Sequence, residues 1–144
     1  MFQLLFNERI VEAIENELAY AASDALVKNG QIAGCWTIRN ESNELLLQNH
    51  MYHKEWENNT IIGAEAITLL ELIEVIERKG RRISHGKIII GVDNRKVYQR
   101  IVEEIAKPNV YTKDSGAEIA QIKRLLEKIK FEIQIELVKG QKKT

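Results

Sequence analysis

A chain of 144 residues can bury a sizeable hydrophobic core, and its single cysteine, Cys35, excludes an internal disulfide. The 44% hydrophobic and 29% charged residues are typical of a globular protein, and no apolar run approaches the ~18 residues that span a bilayer. Because the first residues lack the basic segment of a secretory leader, we expect an intracellular protein, cytoplasmic or nuclear, without a membrane partner. The sequence leaves the oligomeric state open.

The net charge of zero is the sum of two oppositely charged halves. Residues 1–74 hold 4 Lys or Arg and 12 Asp or Glu, a balance of −8, whereas residues 75–144 hold 17 and 9, a balance of +8. The second half could therefore present a basic face to a polyanion such as a nucleic acid. Basic residues on amphipathic helices are more often only solvated, so charge alone leaves both interpretations open.

The first half of the chain predicts one helix followed by three strands. Residues 1–18 carry apolar side chains at helical spacing with acidic side chains between them, which predicts an amphipathic helix. Residues 19–27 form a small apolar run, and a glycine turn leads from it to a strand over Ile32–Arg39. A second polar turn, residues 40–43, precedes a strand over Glu44–His53. Two short turns between three strands predict an antiparallel meander.

The second half alternates helices with strands. Residues 61–79 give the clearest helix, which ends at Gly80 with basic residues in its last turn. The β-branched run Lys87–Val92 is continuously apolar, as a buried central strand would be. Two more helices and a half-buried strand follow, over Arg95–Ala106, Ala117–Lys130 and Phe131–Val138. Helices between the later strands imply parallel crossovers, so we expect one α/β domain, residues 1–144, with a mixed five-stranded sheet flanked by helices.

Two aspartates stand where their strands would place them near a ligand site. Asp24 lies inside an otherwise apolar strand, where a carboxylate is unfavourable by propensity and costly if buried without a partner. Asp93 directly follows the strand Lys87–Val92, and ligand sites in open α/β sheets form at the carboxyl ends of strands. The ordinary alternatives are an edge or turn position for Asp24 and, for Asp93, an N-cap of the next helix, which Asn94 could also supply.

Glu65 is the third acid. Steps of three and four residues from Glu65 lead to Leu69, Leu72 and Ile76, the stripe of the long helix that should face the sheet. A helix cap or a carboxylate that reaches solvent is the ordinary alternative. If the first meander strand pairs beside Lys87–Val92, with the long helix across both, the three carboxylates share one pocket. Like charges at such close range repel unless a cation neutralises them, and carboxylate oxygens select Mg²⁺ or Mn²⁺.

Neighbouring residues have more ordinary interpretations. Arg95 and Lys96 follow Asp93 on one helix and could contact phosphates, although a solvated helix face is equally compatible with them. Cys35 lies between apolar neighbours and Trp36, which predicts a small core residue rather than a nucleophile.

Four motifs in chain order give the sequence a resemblance to a known family. They are Ala-Ala-Ser-Asp-Ala-Leu-Val around Asp24, Gly63-Ala64-Glu65-Ala66, Ile90-Gly91-Val92-Asp93-Asn94 and Glu136-Leu137-Val138-Lys139-Gly140. Together they resemble the first hairpin, the glutamate-bearing helix, the aspartate-bearing strand and the last strand of the ribonuclease H domain of retroelement (LTR-type) reverse transcriptases. The resemblance covers residues 19–141 and implies a ribonuclease H-like fold.

The resemblance also implies an activity: a nuclease that cuts the RNA strand of an RNA–DNA hybrid by two-metal phosphodiester hydrolysis, with Mg²⁺ or Mn²⁺ as cofactor. Asp24, Glu65 and Asp93 would be the catalytic metal ligands. The residues expected to contact nucleic acid are Asn94, Arg95, Lys96, Lys139 and Gln141. An upstream reverse-transcriptase domain is a further partner that the resemblance suggests.

The sequence departs from the family pattern at three places. Ala25 and Leu26 replace the Gly and Ser that follow the first aspartate, Gln141 replaces a histidine, and no acidic residue follows Glu136 where the family has a fourth acid. A missing ligand would weaken binding of the second metal ion and slow the chemistry. The alternative function is therefore a catalytically weakened or inactive domain of this fold that binds nucleic acid or protein.

Overall fold

The computed structural model describes residues 2–28, 31–53, 61–106 and 116–138. Its elements are α1 (Phe2–Asn16), β1 (Ala19–Lys28), β2 (Gln31–Arg39), β3 (Leu45–His53), α2 (Ile61–Lys79), β4 (Lys87–Val92), α3 (Arg95–Ala106), α4 (Gly116–Lys128) and β5 (Glu132–Leu137). This order of helices and strands is the predicted one. The end of α4 differs by two residues, because the Ile129 amide bonds to the Leu126 carbonyl three residues back and tightens the last turn. Within the described ranges, no helix is both long and apolar enough to cross a bilayer.

The five strands form one mixed sheet in the order β3-β2-β1-β4-β5. Antiparallel pairing joins β1 to β2 and β2 to β3, which confirms the predicted meander. Parallel pairing joins β1 to β4 and β4 to β5, which confirms the predicted crossovers. The strand that contains Asp24 is therefore the central strand of the sheet, so an edge position for Asp24 is excluded.

One face of the sheet packs against the helices and the other is open. Along β1, Ala19, Ala21 and Ser23 are buried, whereas the residues between them are exposed. The buried residues of β4, namely Ile88, Ile90 and Val92, are their register partners and face the same helices. From α2, Leu69, Leu72 and Ile76 are buried above this face, which confirms the predicted stripe. Burial of this apolar area is the main contribution to the stability of the two layers.

Helix α2 approaches the sheet most closely at Gly34 of β2. A Cβ atom built on Gly34 would overlap Oγ1 of Thr68 and lie 3.0 Å from its Cγ2. The Thr68 hydroxyl donates a hydrogen bond of 2.8 Å to the Ala64 carbonyl, so this buried side chain is held in place. Glu65 lies three residues before Thr68 on the same side of the helix. The missing side chain of Gly34 therefore sets the distance at which Glu65 meets the sheet.

We expect Gly34→Ala to destabilise the protein by about 1–3 kcal/mol, because the new methyl group overpacks the contact with Thr68. Urea unfolding of the two proteins measures this change. Thr68→Ala removes Oγ1 and Cγ2, so the double variant should lose less stability than the sum of the two single variants. Strict additivity of the two losses would contradict the proposed contact.

A second polar contact joins α2 to the meander. The Trp36 indole donates a hydrogen bond of 2.8 Å to Oε1 of Glu71, and the Asn49 amide donates one of 3.2 Å to the same oxygen. Glu71 is therefore a structural acceptor and not an ordinary surface charge. Trp36 itself is buried, since 2% of its surface is exposed.

Candidate active site

The parallel register of β1 and β4 brings the two aspartates together. Ser23 is the partner of Val92, and this is the last pair of the ladder. Asp24 and Asp93 each come one residue later, at the carboxyl end of β4. Beyond Val92 no residue of β4 covers that edge of β1, so the Asp24 carboxylate has room beside Asp93. Both aspartates are exposed.

Asn94, not Asp93, caps helix α3. Oδ1 of Asn94 accepts a hydrogen bond of 3.0 Å from the Val97 amide, and the Asn94 carbonyl accepts one of 3.0 Å from Tyr98. This is the arrangement of an N-cap residue. Because Asn94 supplies the cap, the carboxylate of Asp93 is available for another role, and the N-cap interpretation of Asp93 was wrong.

We expect Asn94→Ala to lower the free energy of unfolding by about 1 kcal/mol, because the amide of Val97 loses its acceptor. Chemical denaturation of the metal-free protein measures this loss. Asn94→Ser keeps a capping oxygen without adding charge near the aspartates, so it should stay within a few tenths of a kcal/mol of the parent. An equal loss in both variants would show that capping is not the cause.

Glu65 reaches the two aspartates from helix α2. It lies in the second turn of the helix and 6% of its surface is exposed. Carboxylate oxygens of Asp24, Glu65 and Asp93 all lie within 4.8 Å of one another. We call these three residues the carboxylate cluster. The sequence predicted this convergence of residues from β1, α2 and the end of β4.

The cluster raises the proton affinity of its members. Burial, a hydrogen bond with Asp93 and the negative charges of Asp93 and Asp24 raise the pKa of Glu65 from 4.5 to about 8. Desolvation and the charge of Asp93 also raise the pKa of Asp24, although a hydrogen bond of 2.9 Å from the Ala25 amide opposes this. Three carboxyl groups this close repel one another, and together they could hold a metal ion.

A cleft of about 210 Å³ opens beside Asp24 on the open face of the sheet. Its walls include Leu26, Cys35 and His50. The register aligns Asp24 with Cys35 and Cys35 with His50, so the three side chains form one row across the strands. The prediction that Cys35 is a core residue was wrong, because it is half-buried and lines this cleft. Counting alternate residues from the buried Trp36 would have placed Cys35 on the open face.

The predicted nucleic-acid contacts lie partly outside the described residues. Arg95 and Lys96 are exposed in the first turn of α3, next to the carboxylate cluster. Lys139 and Gln141 lie outside the described residues. For Asn94, the side-chain oxygen is engaged in capping. The nucleic-acid role of all five residues stays a prediction.

Comparison with known proteins identifies the fold. No protein-family model and no curated protein matches the sequence. The solved structure of ribonuclease H1 from the archaeon Halobacterium salinarum superposes with a TM-score of 0.66 at 15% identity, over 85% of this chain and 86% of that one. LC11 ribonuclease H1 in complex with an RNA/DNA hybrid gives a TM-score of 0.69 at 12% identity, over 85% and 86%.

A viral multidomain protein also matches. The foamy viral protease-reverse transcriptase in complex with an RNA/DNA hybrid gives a TM-score of 0.58 at 14% identity. The match covers 89% of this chain and 18% of the viral chain. Identities this low establish the architecture alone. The five-stranded mixed sheet and its four helices form a ribonuclease H-like fold.

Proposed function

We propose that this protein is a ribonuclease H-like nuclease that cuts the RNA strand of an RNA–DNA hybrid. The observation that carries the proposal is the carboxylate cluster, in which oxygens from three separate elements lie within 4.8 Å of one another. Among the described residues, no ion pair joins a member of the cluster to a basic side chain, and three like charges this close repel one another. The ribonuclease H-like fold supports the proposal, because two of the similar structures were solved in complex with an RNA/DNA hybrid.

The donor set fits a hard divalent cation. All three side chains offer carboxylate oxygens, which suit Mg²⁺ or Mn²⁺. When bound, a pair of such ions supplies an activated water and stabilises the leaving oxygen in phosphodiester hydrolysis. Asp24, Glu65 and Asp93 would hold the ions, with Glu65 closing the buried side of the site. Arg95 and Lys96 expose positive charge at the next helix, where phosphates of the hybrid would lie.

A domain that binds a hybrid without cutting it is the second candidate. The observation that favours it is the neighbourhood of Asp24, where the side chain of Leu26 is 54% exposed at a position that carries serine in the resembled family. An upstream reverse-transcriptase domain would be the natural partner in either case. The viral chain, in which the matching region is a small part, motivates this expectation.

Cleavage of a hybrid labelled on its RNA strand tests the proposal. With Mg²⁺, and separately with Mn²⁺, the parent protein should shorten the RNA, whereas Asp24→Asn should not. Glu74→Gln is the matched control, because Glu74 is an exposed acid on the same helix as Glu65. Duplex DNA and double-stranded RNA of the same sequence should remain intact. Hybrid binding without cleavage above the Asp24→Asn level would select the second candidate.

A further inference from the structure

Basic residues from three segments converge at the end of the sheet opposite the carboxylate cluster. The basic end surface consists of Arg78, Lys79, Arg81, Arg82, Lys87, Lys128 and Lys130. The ring of Phe131 packs against Gly80, which brings the end of α4 next to the end of α2. The Glu132 amide donates a hydrogen bond of 3.0 Å to the Gly86 carbonyl, which places the start of β4 beside both.

Most of this positive charge is not neutralised by neighbouring acids. Arg81 pairs with Glu77 at 3.2 Å, and Lys87 pairs with Glu132 at 3.7 Å. Among the described residues, no ion pair involves Arg78, Arg82, Lys128 or Lys130, and these four residues are exposed. Lys79 stands beside Arg78, whose charge adds to the effect of partial burial in lowering the pKa of Lys79. Such crowding favours a bound anion.

The surface is too far from the carboxylate cluster to belong to it. Glu65 and Lys79 are fourteen residues apart on one helix, which is about 21 Å at 1.5 Å per residue. Lys87 begins the six-residue strand β4 and Asp93 follows its last residue, which gives a similar separation of roughly 20 Å. A phosphate at the cluster therefore cannot touch the basic end surface.

The side-chain chemistry favours a nucleic acid over a lipid membrane as the anion. Arginine guanidinium groups bind phosphates through paired N–H donors, and three of the seven residues are arginines. Membrane surfaces are usually bound by basic residues together with an inserted apolar side chain. None of the large hydrophobic residues that are exposed in the described part of the chain belongs to this surface.

We propose that the basic end surface binds phosphates of a nucleic acid at a second point, about 20 Å from the carboxylate cluster. The inference rests on the proposed function only for the identity of the ligand, since no cation and no cleavage are needed for the binding itself. Its effect would be to raise affinity for the substrate without changing the chemical step.

Binding of a labelled RNA–DNA hybrid of about 20 base pairs, which is longer than the separation of the two sites, tests the inference. The titration is performed in EDTA, so that no RNA is cut, and at several salt concentrations. The double variant Arg82→Gln/Lys130→Gln should bind roughly tenfold more weakly at low salt, and the slope of log K against log salt should fall by about 2. Arg78→Gln alone should lower that slope by about 1.

Arg9→Gln is the matched control, because Arg9 pairs with Glu44 at the opposite, β3 edge of the sheet. Parent-like binding by the double variant, or an equal loss in Arg9→Gln, would overturn the inference. The inference would also be overturned if the double variant lost more binding to anionic phospholipid vesicles than to the hybrid.

In the cleavage assay, the double variant should raise KM and leave kcat unchanged. If the parent protein does not cut the hybrid but the double variant still weakens hybrid binding, the proposed nuclease is rejected and the second binding site is kept.

Discussion

Glu65→Gln is expected to lower cleavage of the hybrid by roughly 10³-fold, with no loss of folded-state stability at neutral pH. Glu65 is the least exposed acid of the carboxylate cluster and the one whose pKa, about 8, keeps it protonated at neutral pH in the metal-free protein. Glutamine has the shape of that protonated acid and can still donate a hydrogen bond to Asp93. It cannot supply an anionic oxygen to a cation, so metal binding and activity should be lost together.

Isothermal titration with Mn²⁺ and the cleavage assay on the same preparations measure the two effects. Glu74→Gln again serves as the control, since it removes one carboxylate from an exposed position of the same helix. A Glu65→Gln protein that binds Mn²⁺ as tightly as the parent would remove Glu65 from the ligand set. A protein that loses Mn²⁺ binding but still cuts the hybrid would separate the cluster from catalysis altogether.

The convergence of Asp24 and Asp93 was predictable because it depends on strand order and strand ends. The turn signals fixed the meander, and the short β-branched run before Asp93 marked a buried parallel strand. In the parallel ladder β4 ends at the partner of Ser23 while β1 continues, so Asp24 within β1 meets Asp93, the first residue beyond β4. Local sequence establishes the strands and where they end, whereas the pairing of β1 with β4 was a condition of the prediction.

The faces of β2 were harder to predict, because only the bulky Trp36 marks the buried one. Strand β2 is apolar on both sides, with Ile32, Ala33, Cys35, Trp36 and Ile38, so no alternation of polarity separates its buried face from its open one. The row from Asp24 through Cys35 to His50 depends on the register across two hairpins. A pattern taken along one strand carries no information on that register.

The contacts of α2 depend on packing distance, which the sequence pattern does not contain. Gly34 lets the helix approach the sheet, and only at that distance does Glu71 meet the indole of Trp36. Helical periodicity places Glu71 beside the apolar stripe but gives no acceptor role to it. The same packing also determines where Glu65 lies. Its place on the stripe was predicted, but the extent of its burial was not.

The stability of the metal-free protein is expected to fall as pH rises from about 4.5 to about 8, the two limits set by the unfolded and folded pKa of Glu65. In this window the folded carboxyl keeps its proton while the unfolded one has lost it, so the folded state binds more protons and each rise in pH favours unfolding. The total loss should be on the order of a few kcal/mol, because the site is partly screened by solvent at the two exposed aspartates. The raised pKa of Asp24 acts in the same direction.

Saturating Mn²⁺ should reverse this trend, since the cation displaces the proton of Glu65 and replaces repulsion by attraction within the cluster. Urea unfolding in EDTA and in Mn²⁺, at a series of pH values across the window, measures both slopes. Glu65→Gln should flatten the metal-free slope, whereas Glu74→Gln should retain it. Metal-free stability that rises through the window would show that the three carboxyl groups do not share their protons, and the electrostatic basis for a divalent cation at this site would fail.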